Sequence, residues 1–473
     1  MVVQPWRVTW TNFRGYENPT TIDMPALTLL IGRNNVGKTT AYAPLLLLRQ
    51  TLNARNNDTA LLFRGDLMDF GSYKDVVTDH DQSRQISLSL DLGQPRIRIE
   101  RAEGAERPGP RSLEVTFAAS ADHPADLVRS VVRDAAGDVI VRRSRSRSET
   151  NEFNVSSRLL PTGSQAGRPL TEVTQIRKNM RSEQPEGFMF TGVSGLRLPA
   201  KYRHDSKLLQ RIQGWMGACN DLYDIYVEIN YHVRDTLRAI SYLGPLRSPP
   251  QRSYQLSAEP PDDVGRDGQW APEVLYQSSR KAKSGVLARA NEWLAKLGYG
   301  ELSFSDSSDE FFQVMVKKVD CDVKINLADC GAGLSQLLPL LVQGCVMKKG
   351  DTLIAQQPEI HLNPAQQDLI TDFLVELCES GRRVIIETHS EHVLGRLRRR
   401  IAEGETIGSD DVGVYFCESK KGRSTLRPIP IGQWGEITPQ DWPEGFFGEQ
   451  LENSMAMAMA QVRRKQQQGR EDN

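Results

Sequence analysis

The stretch "TLLIGRNNVGKTT", residues 28–40, constrains this chain more than any other. It fits G-x-x-x-x-G-K-T, with Gly32, Gly37, Lys38 and Thr39 at the fixed positions. An apolar run, "ALTLLIG", enters the loop and a helical run, "KTTAYAPLLLLRQTL", leaves it. The order strand, loop, helix is the one a phosphate cradle needs. The glycines let the backbone N–H groups of Arg33, Asn34, Asn35 and Val36 wrap phosphate oxygens, while Lys38 reaches the β and γ oxygens. Thr39 offers its hydroxyl to Mg²⁺, and Thr40 continues a helix whose positive N-terminus faces the phosphates. The expected ligands are therefore a nucleotide and Mg²⁺.

Other N-terminal segments ("WRVTWTNFRGY", "QISLSLDLG", "RIRIERAEG", "SLEVTFAAS", "DLVRSVVRDAAGDVIVRR") alternate polar and apolar residues between turn signals, as antiparallel strands do. From Ser144 to about Lys201 the chain is polar, and "RRSRSRSETNEFN" is either a phosphate-binding arm or a solvated loop. Apolar residues at Leu209, Ile212, Met216, Cys219, Tyr223, Tyr226, Val233, Leu237 and Ile240 predict a long amphipathic helix or helical pair over 206–241. "SGVLARANEWLAKLGYG" predicts a helix closed by glycine, with "FFQVMVKK" and "DVKINLA" as short strands after it. Beyond these, strand and helix alternate: "QLLPLLVQGCVM", "DTLIAQ", "AQQDLITDFLVELCESG", "RVIIET", "SEHVLGRLRRRIAEG". That alternation predicts an α/β fold, a mostly parallel sheet flanked by helices plus an antiparallel β subdomain and a helical insertion. The expected division is an N-terminal lobe at 1–143, an insertion at 144–241, a C-terminal lobe at 242–450 and a basic tail at 451–473.

The bulk composition narrows the function classes. Its 59 basic and 60 acidic side chains leave a net charge of −1, which argues against coating nucleic acid through bulk charge. Neither a signal peptide nor an apolar run near the roughly 18 residues of a membrane span is visible. Cysteines 219, 321, 330, 345, 378 and 417 show no C-x-x-C spacing, so neither a disulfide framework nor a zinc site is expected. These features predict a reduced, cytoplasmic protein without a membrane partner.

Far downstream come "ADCGAGLSQLLPLL", "DTLIAQQPEIHLNP" and "RVIIETHSEH". A glycine-rich turn opening a helix, then two apolar strands with polar ends, form an ordered series. With the phosphate loop, this series resembles the ATP-binding-cassette class of P-loop ATPases. Its soluble SMC/RecF-like branch, which includes the overcoming-lysogenization-defect ATPases, is the most similar. "GDLMDFGSYKDVV", "YLGPLRSPPQRSY", "QPEIHLNP", "IETHSEH" and "WPEGFFGEQ" resemble a bacterial AAA-type subfamily with a C-terminal domain of unknown function. The resemblance covers roughly 1–100 and 240–450. It implies ATP hydrolysis, two ATP sites completed by a homodimer or higher homo-oligomer, and a role in anti-phage defence beside an operon-encoded nuclease.

By the same resemblance, Asn34 is the asparagine of the class loop. Gly331 and Gly333 form the signature turn that caps the γ-phosphate held by a second subunit. Relatives carry serine at 331, so Ser335 or Gln336 is the substitute contact. His389 matches the switch histidine that hydrogen-bonds the γ-phosphate, whereas His361 and His392 lack a third partner and make a poor metal set. Gln356 stands where a Mg²⁺-holding carboxylate is expected, Gln357 follows it, and Glu359 is a neighbouring carboxylate placed in the loop facing the other subunit. An amide accepts no proton near neutral pH and offsets no metal charge. The expectation is intact ATP binding, with hydrolysis slowed by about 10²–10⁴-fold. Gln356 then marks a hydrolysis-impaired form, either an engineered trap of the ATP state or a natural switch.

No Toprim-like acidic cluster, His-Asn-His pattern or nucleophile elbow offers a second chemistry. Arg247, Arg252 and Tyr254 of "LRSPPQRSY" and the 206–241 surface are candidates for coupling to a partner, with loop packing as the plain alternative. Two other readings stay open. One is a DNA-binding repair or condensation ATPase, with "RRSRSR", "RLRRR" and "VRRK" lining a path. The other is a nucleotide-bound scaffold with little hydrolysis.

Overall fold

The computed structural model describes residues 4–54, 59–94, 109–145, 153–160, 164–165, 168–169, 181–182, 187–190, 213–281, 285–306 and 308–442. Strands β1 (Trp6–Thr11), β2 (Thr20–Met24) and β3 (Leu27–Gly32) lead into helix α1 (Lys38–Leu52). Strands β4 (Ile86–Asp91), β5 (Ser112–Ala118), β6 (Asp126–Arg133), β7 (Val139–Arg145) and β8 (Phe153–Ser157) follow. Helix α2 (Gln213–Arg238) precedes β9 (Ile240–Leu243). Helices α3 (Ala271–Ser279) and α4 (Val286–Lys296) precede β10 (Leu302–Asp306), β11 (Phe311–Lys317) and β12 (Lys324–Asn326). The closing segment runs α5 (Ala332–Val346), β13 (Thr352–Gln356), α6 (Pro364–Glu379), β14 (Arg383–Glu387), α7 (Glu391–Glu403), β15 (Val412–Lys420) and β16 (Arg423–Pro428).

The site is carried by a six-stranded sheet of order β9-β13-β14-β3-β15-β16, parallel except for the last pair. Every residue of β3, β13 and β14 is buried, as expected for strands covered on both faces. Successive side chains point to opposite faces. Leu30, Ile354 and Ile385 therefore join one core, while Leu29, Ile31, Leu353, Ala355, Val384 and Ile386 join the other. The first core is shared with an antiparallel sheet of order β8-β7-β6-β5-β4-β1-β2, to whose outer edge residues 181–182 add.

Caps fix the helices beside the site. Asn363 accepts from Gln366 N with Pro364 in the first turn, a capping box that starts α6 directly after the polar turn. Ser390 accepts from the amides of His392 and Val393 and starts α7, and Gly404 ends it at φ 68°.

Three expectations change. The polar segment is not loop throughout, because β7 runs to Arg145 and β8 pairs with it. Its basic character is also partly internal. Arg143 is fully buried between the Phe153 and Phe190 rings, and it donates to Ser130 Oγ and the Met189 carbonyl. Burial lowers its pKa to about 10. It is therefore neither a phosphate-binding arm nor a solvated loop residue. On α2, Tyr226, Val233 and Leu237 are buried, but Tyr223 lies on the exposed side with Val227 and Tyr231. Leu209 and Ile212, "RIRIERAEG" and the tail beyond 442 lie outside the described residues.

Candidate functional site

The three central strands end side by side at Gly32, Gln356 and Glu387. Gln356 and Glu387 are register partners, and Glu387 also faces Leu30 of β3. The carboxyl end of a parallel sheet is where α/β folds place ligands.

The phosphate loop turns on backbone that favours glycine. Gly32 has φ 143° and Gly37 φ 102°, and Asn35 is also left-handed at φ 61°. A Cβ on Gly32 would sit 2.5 Å from the Cys417 carbonyl on β15. Gly32→Ala is therefore expected to cost about 1–3 kcal/mol of stability and to displace the cradle. Thermal unfolding and nucleotide titration of this variant check both effects together. Arg33, Asn34 and Asn35 are exposed, Val36 and Gly37 partly so, and Thr40 is buried in the first turn of α1. Lys38 is buried and folds back over the loop, its Nζ donating to the Gly32 and Arg33 carbonyls at 3.0 and 2.7 Å. Burial lowers its pKa, opposed by Glu387, Cys417 and Glu359.

Glu387 is the residue the sequence reading missed. Its Oε2 accepts from Thr39 Oγ1 at 2.9 Å, Tyr42 OH at 2.9 Å and Gln356 Nε2 at 2.8 Å. Its Oε1 lies 3.9 Å from Lys38 Nζ, and the residue is buried. The available signal was a carboxylate ending an apolar strand, "RVIIE", the pattern sought at 356. Gln356 is also buried, with Oε1 accepting from Tyr242 OH at 2.9 Å and Nε2 donating at 3.1 Å to Thr39 Oγ1. Its backbone carbonyl accepts from Arg247.

Gln357 sits at φ 44° and donates its amide to the Glu387 carbonyl at 2.7 Å, locking the turn after β13 to the end of β14. Glu359 does not face outward. It is buried, and its Oε1 accepts the His389 backbone N–H at 3.0 Å. Desolvation raises its pKa against hydrogen bonds to the carboxylate and the charge of Arg247. His389 is half-buried, and its pKa is lowered first by burial and then by Lys38, so the ring is neutral at pH 7. His361 is exposed at φ 62° and His392 is half-buried. No group of three or more His, Cys, Asp or Glu side chains placed to hold a metal ion occurs among the described residues.

The signature turn lies at the start of α5. Gly331 is its exposed N-cap and Gly333 is partly covered, with a built Cβ 2.8 Å from Tyr299 OH. Ser335 is buried and its hydroxyl returns to Ala332 O, which leaves the partly exposed Gln336 as the more accessible of the two substitutes. "LRSPPQRSY" ties this turn to β13. Arg252 holds Asp329 through two hydrogen bonds of 2.6 and 3.1 Å, while buried Arg247 holds the end of β13. Tyr254 stacks on Phe312 and its OH accepts from Gln251 N.

Several of the described arginines proposed for a DNA path have partners within the chain, whereas Arg142 is exposed. Arg396 and Arg400 both pair with Asp372, Arg399 with Glu403, and Arg398 donates to the Gly435 carbonyl beside Trp442. "VRRK" lies outside the described residues. No described helix is long and apolar enough to cross a membrane.

Residues 7–105 and 277–394 match a family described as an AAA ATPase domain, and residues 407–456 match a protein family of unknown function, DUF3696. No curated protein matches the sequence. Among solved structures, the chain is similar at 11% identity to an SMC head bound to the C-winged helix domain of ScpA, over 91% of this chain and 98% of that one, with a TM-score of 0.40. The SMC head domain from Thermotoga maritima is also similar, at 11% identity over 90% and 99% with a TM-score of 0.35. So is an Smc head with an extended coiled coil bound to the C-terminal domain of ScpA derived from Pyrococcus furiosus, at 11% over 98% and 99% with a TM-score of 0.38. With its phosphate loop and its parallel sheet, the chain has two segments, separated by a long intervening one, that together are similar to an AAA ATPase domain.

Proposed function

We propose that the chain binds ATP with Mg²⁺, pairs with a second copy around two nucleotides, and hydrolyses ATP to reset the pair. The observation that carries this reading is the gathering of Lys38, Thr39, Gln356 and Glu387 at the carboxyl end of the sheet, with Glu359 held against His389 beside them. Lys38 and the loop amides bind and orient the triphosphate. In hydrolysis a water oxygen bonds to the γ-phosphorus and the bond from γ-phosphorus to the bridging oxygen breaks. That electron pair leaves with ADP, and the water's proton passes to the Glu359 carboxylate. Burial suits Glu359 to this role, because a base gains as its pKa approaches the working pH. Mg²⁺, when bound, supplies positive charge that offsets the phosphates, and the Thr39 hydroxyl with the adjacent carboxylate suits a hard cation. Neutral His389 orients the γ-phosphate by a hydrogen bond.

Gly331 and Gly333, at the exposed start of α5, serve the nucleotide of the second copy. Asp329, Arg252 and Arg247 then link that turn to β13, so closure at one site is felt at the other. The sequence resemblance supports a further role, in which the cycle of an anti-phage system senses a trigger and controls an operon-encoded nuclease. The internal engagement of Arg143, Arg396 and Arg400 weighs against the DNA-binding alternative.

The test uses Gly331. Its φ of −61° is ordinary and nothing lies within 4 Å of an added Cβ, so Gly331→Glu leaves the protomer's fold intact. A carboxylate there repels the partner's γ-phosphate. Expected are unchanged ATP binding, no ATP-dependent increase in mass by light scattering, and hydrolysis reduced by at least about tenfold, the effect of 1.4 kcal/mol. Hydrolysis that persists in a strictly monomeric variant would overturn the paired mechanism.

A further inference from the structure

We infer that Glu387 supplies the negative charge that offsets a divalent cation at the nucleotide, and that Gln356, its register partner on the neighbouring strand, positions it. This rests on the nucleotide-binding reading above. A chain of contacts sets the orientation of the amide. Tyr242 OH donates to Gln356 Oε1 at 2.9 Å, while Nε2 points at Thr39 Oγ1 and Glu387 Oε2, 3.1 and 2.8 Å away. Turned over, the amide would set its oxygen 2.8 Å from the Glu387 Oε2, acceptor against acceptor. Gln356 thus shows its N–H groups to the site, and N–H groups do not ligate a hard cation. The expected metal contact at Gln356 is therefore replaced by a donor contact.

Glu387 has what Gln356 lacks. Its Oε2 is held against the hydroxyl of Thr39, the group the phosphate loop offers to Mg²⁺, by three donors at 2.8–2.9 Å. Its Oε1 faces Lys38 at 3.9 Å. Tyr42 stays a donor, since burial and then Glu387 push its phenol well above its ordinary pKa. A buried carboxylate with this many donors is a built feature and not an accident of the strand end, because burying a charge without partners costs several kcal/mol. The oxygen donors Thr39 and Glu387 lie on adjacent elements, as an oxygen-ligated cation at the end of the triphosphate requires.

Restoring a carboxylate at 356 alone has the opposite effect from the one sequence reasoning suggests. Gln356→Glu would bring a second carboxylate to within hydrogen-bonding range of the first, and two like charges at that separation cannot both ionise. The variant is expected to bind nucleotide and Mg²⁺ less well than the parent, not better.

The test is a titration of a fluorescent ATP analogue into the full chain in EDTA and in Mg²⁺, for the parent, Glu387→Gln, Gln356→Glu and the double exchange. In the parent Mg²⁺ tightens binding. In Glu387→Gln that tightening is expected to fall by about 10–100-fold, with affinity in EDTA kept within about threefold. The double exchange, which returns one carboxylate and one amide to the same pair of positions, is expected to recover most of it. Unaltered Mg²⁺ dependence in Glu387→Gln overturns the assignment. So does loss of binding in EDTA as well, which would make Glu387 a support for the loop alone. Absence of nucleotide binding by the parent itself sinks the nucleotide reading and leaves a distinct signature.

Discussion

Lys38→Ala is expected to weaken ATP binding by about 10²–10⁴-fold while leaving a folded protein. Lys38 Nζ already spans the Gly32 and Arg33 carbonyls at 3.0 and 2.7 Å, a position from which it turns to phosphate with little rearrangement. Two charge-assisted hydrogen bonds of about 1.5–3 kcal/mol each account for the range. Two effects on stability oppose one another. Burial lowers the Lys38 pKa, so the ammonium carries a desolvation cost that alanine removes. Glu387 loses its cation but keeps Thr39, Tyr42 and Gln356 as donors. Isothermal titration with ATP and a thermal melt without it separate the two. Parent-like affinity in a well-folded Lys38→Ala would remove the loop from the nucleotide site.

Glu359→Gln has the next largest expected effect, hydrolysis lowered by about 10²–10⁴-fold with ATP affinity within about threefold. The glutamine keeps the acceptor for His389 N but takes no proton. In the parent, the rate should rise with pH through a midpoint above the ordinary carboxylate value, because burial raises the Glu359 pKa. That limb should vanish in the variant. The same shift has a sign for stability. With the folded pKa above the unfolded one, about 4.3, the contribution is complete below the unfolded value and is lost as pH rises through the folded one. Glu359→Gln is therefore expected to gain stability relative to the parent as pH rises. A pH profile unchanged in Glu359→Gln would assign the base elsewhere.

Much of this was legible in the sequence because it is local. The loop at 32–39, the buried β3, α1 and the alternation of β13, α6, β14 and α7 each carry their own pattern of burial and capping. What was not legible depends on register. Nothing in "RVIIETHSEH" says that Glu387 lies beside Gln356, since that pairing follows from two parallel strands separated by a whole helix. The orientation of the Gln356 amide was hidden for a like reason, because its partner Tyr242 is supplied by β9. The buried Arg143 misled in the other direction. An arginine run reads as solvent-facing until the aromatic rings that cover it, Phe153 and Phe190, arrive from elsewhere in the chain.

The position of β3 bears on how the chain is made. It is synthesised early, yet both strands that flank it, β14 and β15, come from residues 383–420. While a ribosome works through the intervening residues, at about 5–20 per second, the phosphate-loop strand has neither neighbour and presents two open, apolar edges. Such edges recruit other strands. The nascent N-terminal part therefore depends on shielding, by its antiparallel sheet or by a chaperone, for tens of seconds. A stop codon or proteolytic cut ahead of Val412 leaves one edge uncovered for good. Such fragments are expected to appear in inclusion bodies and not as a soluble half-enzyme.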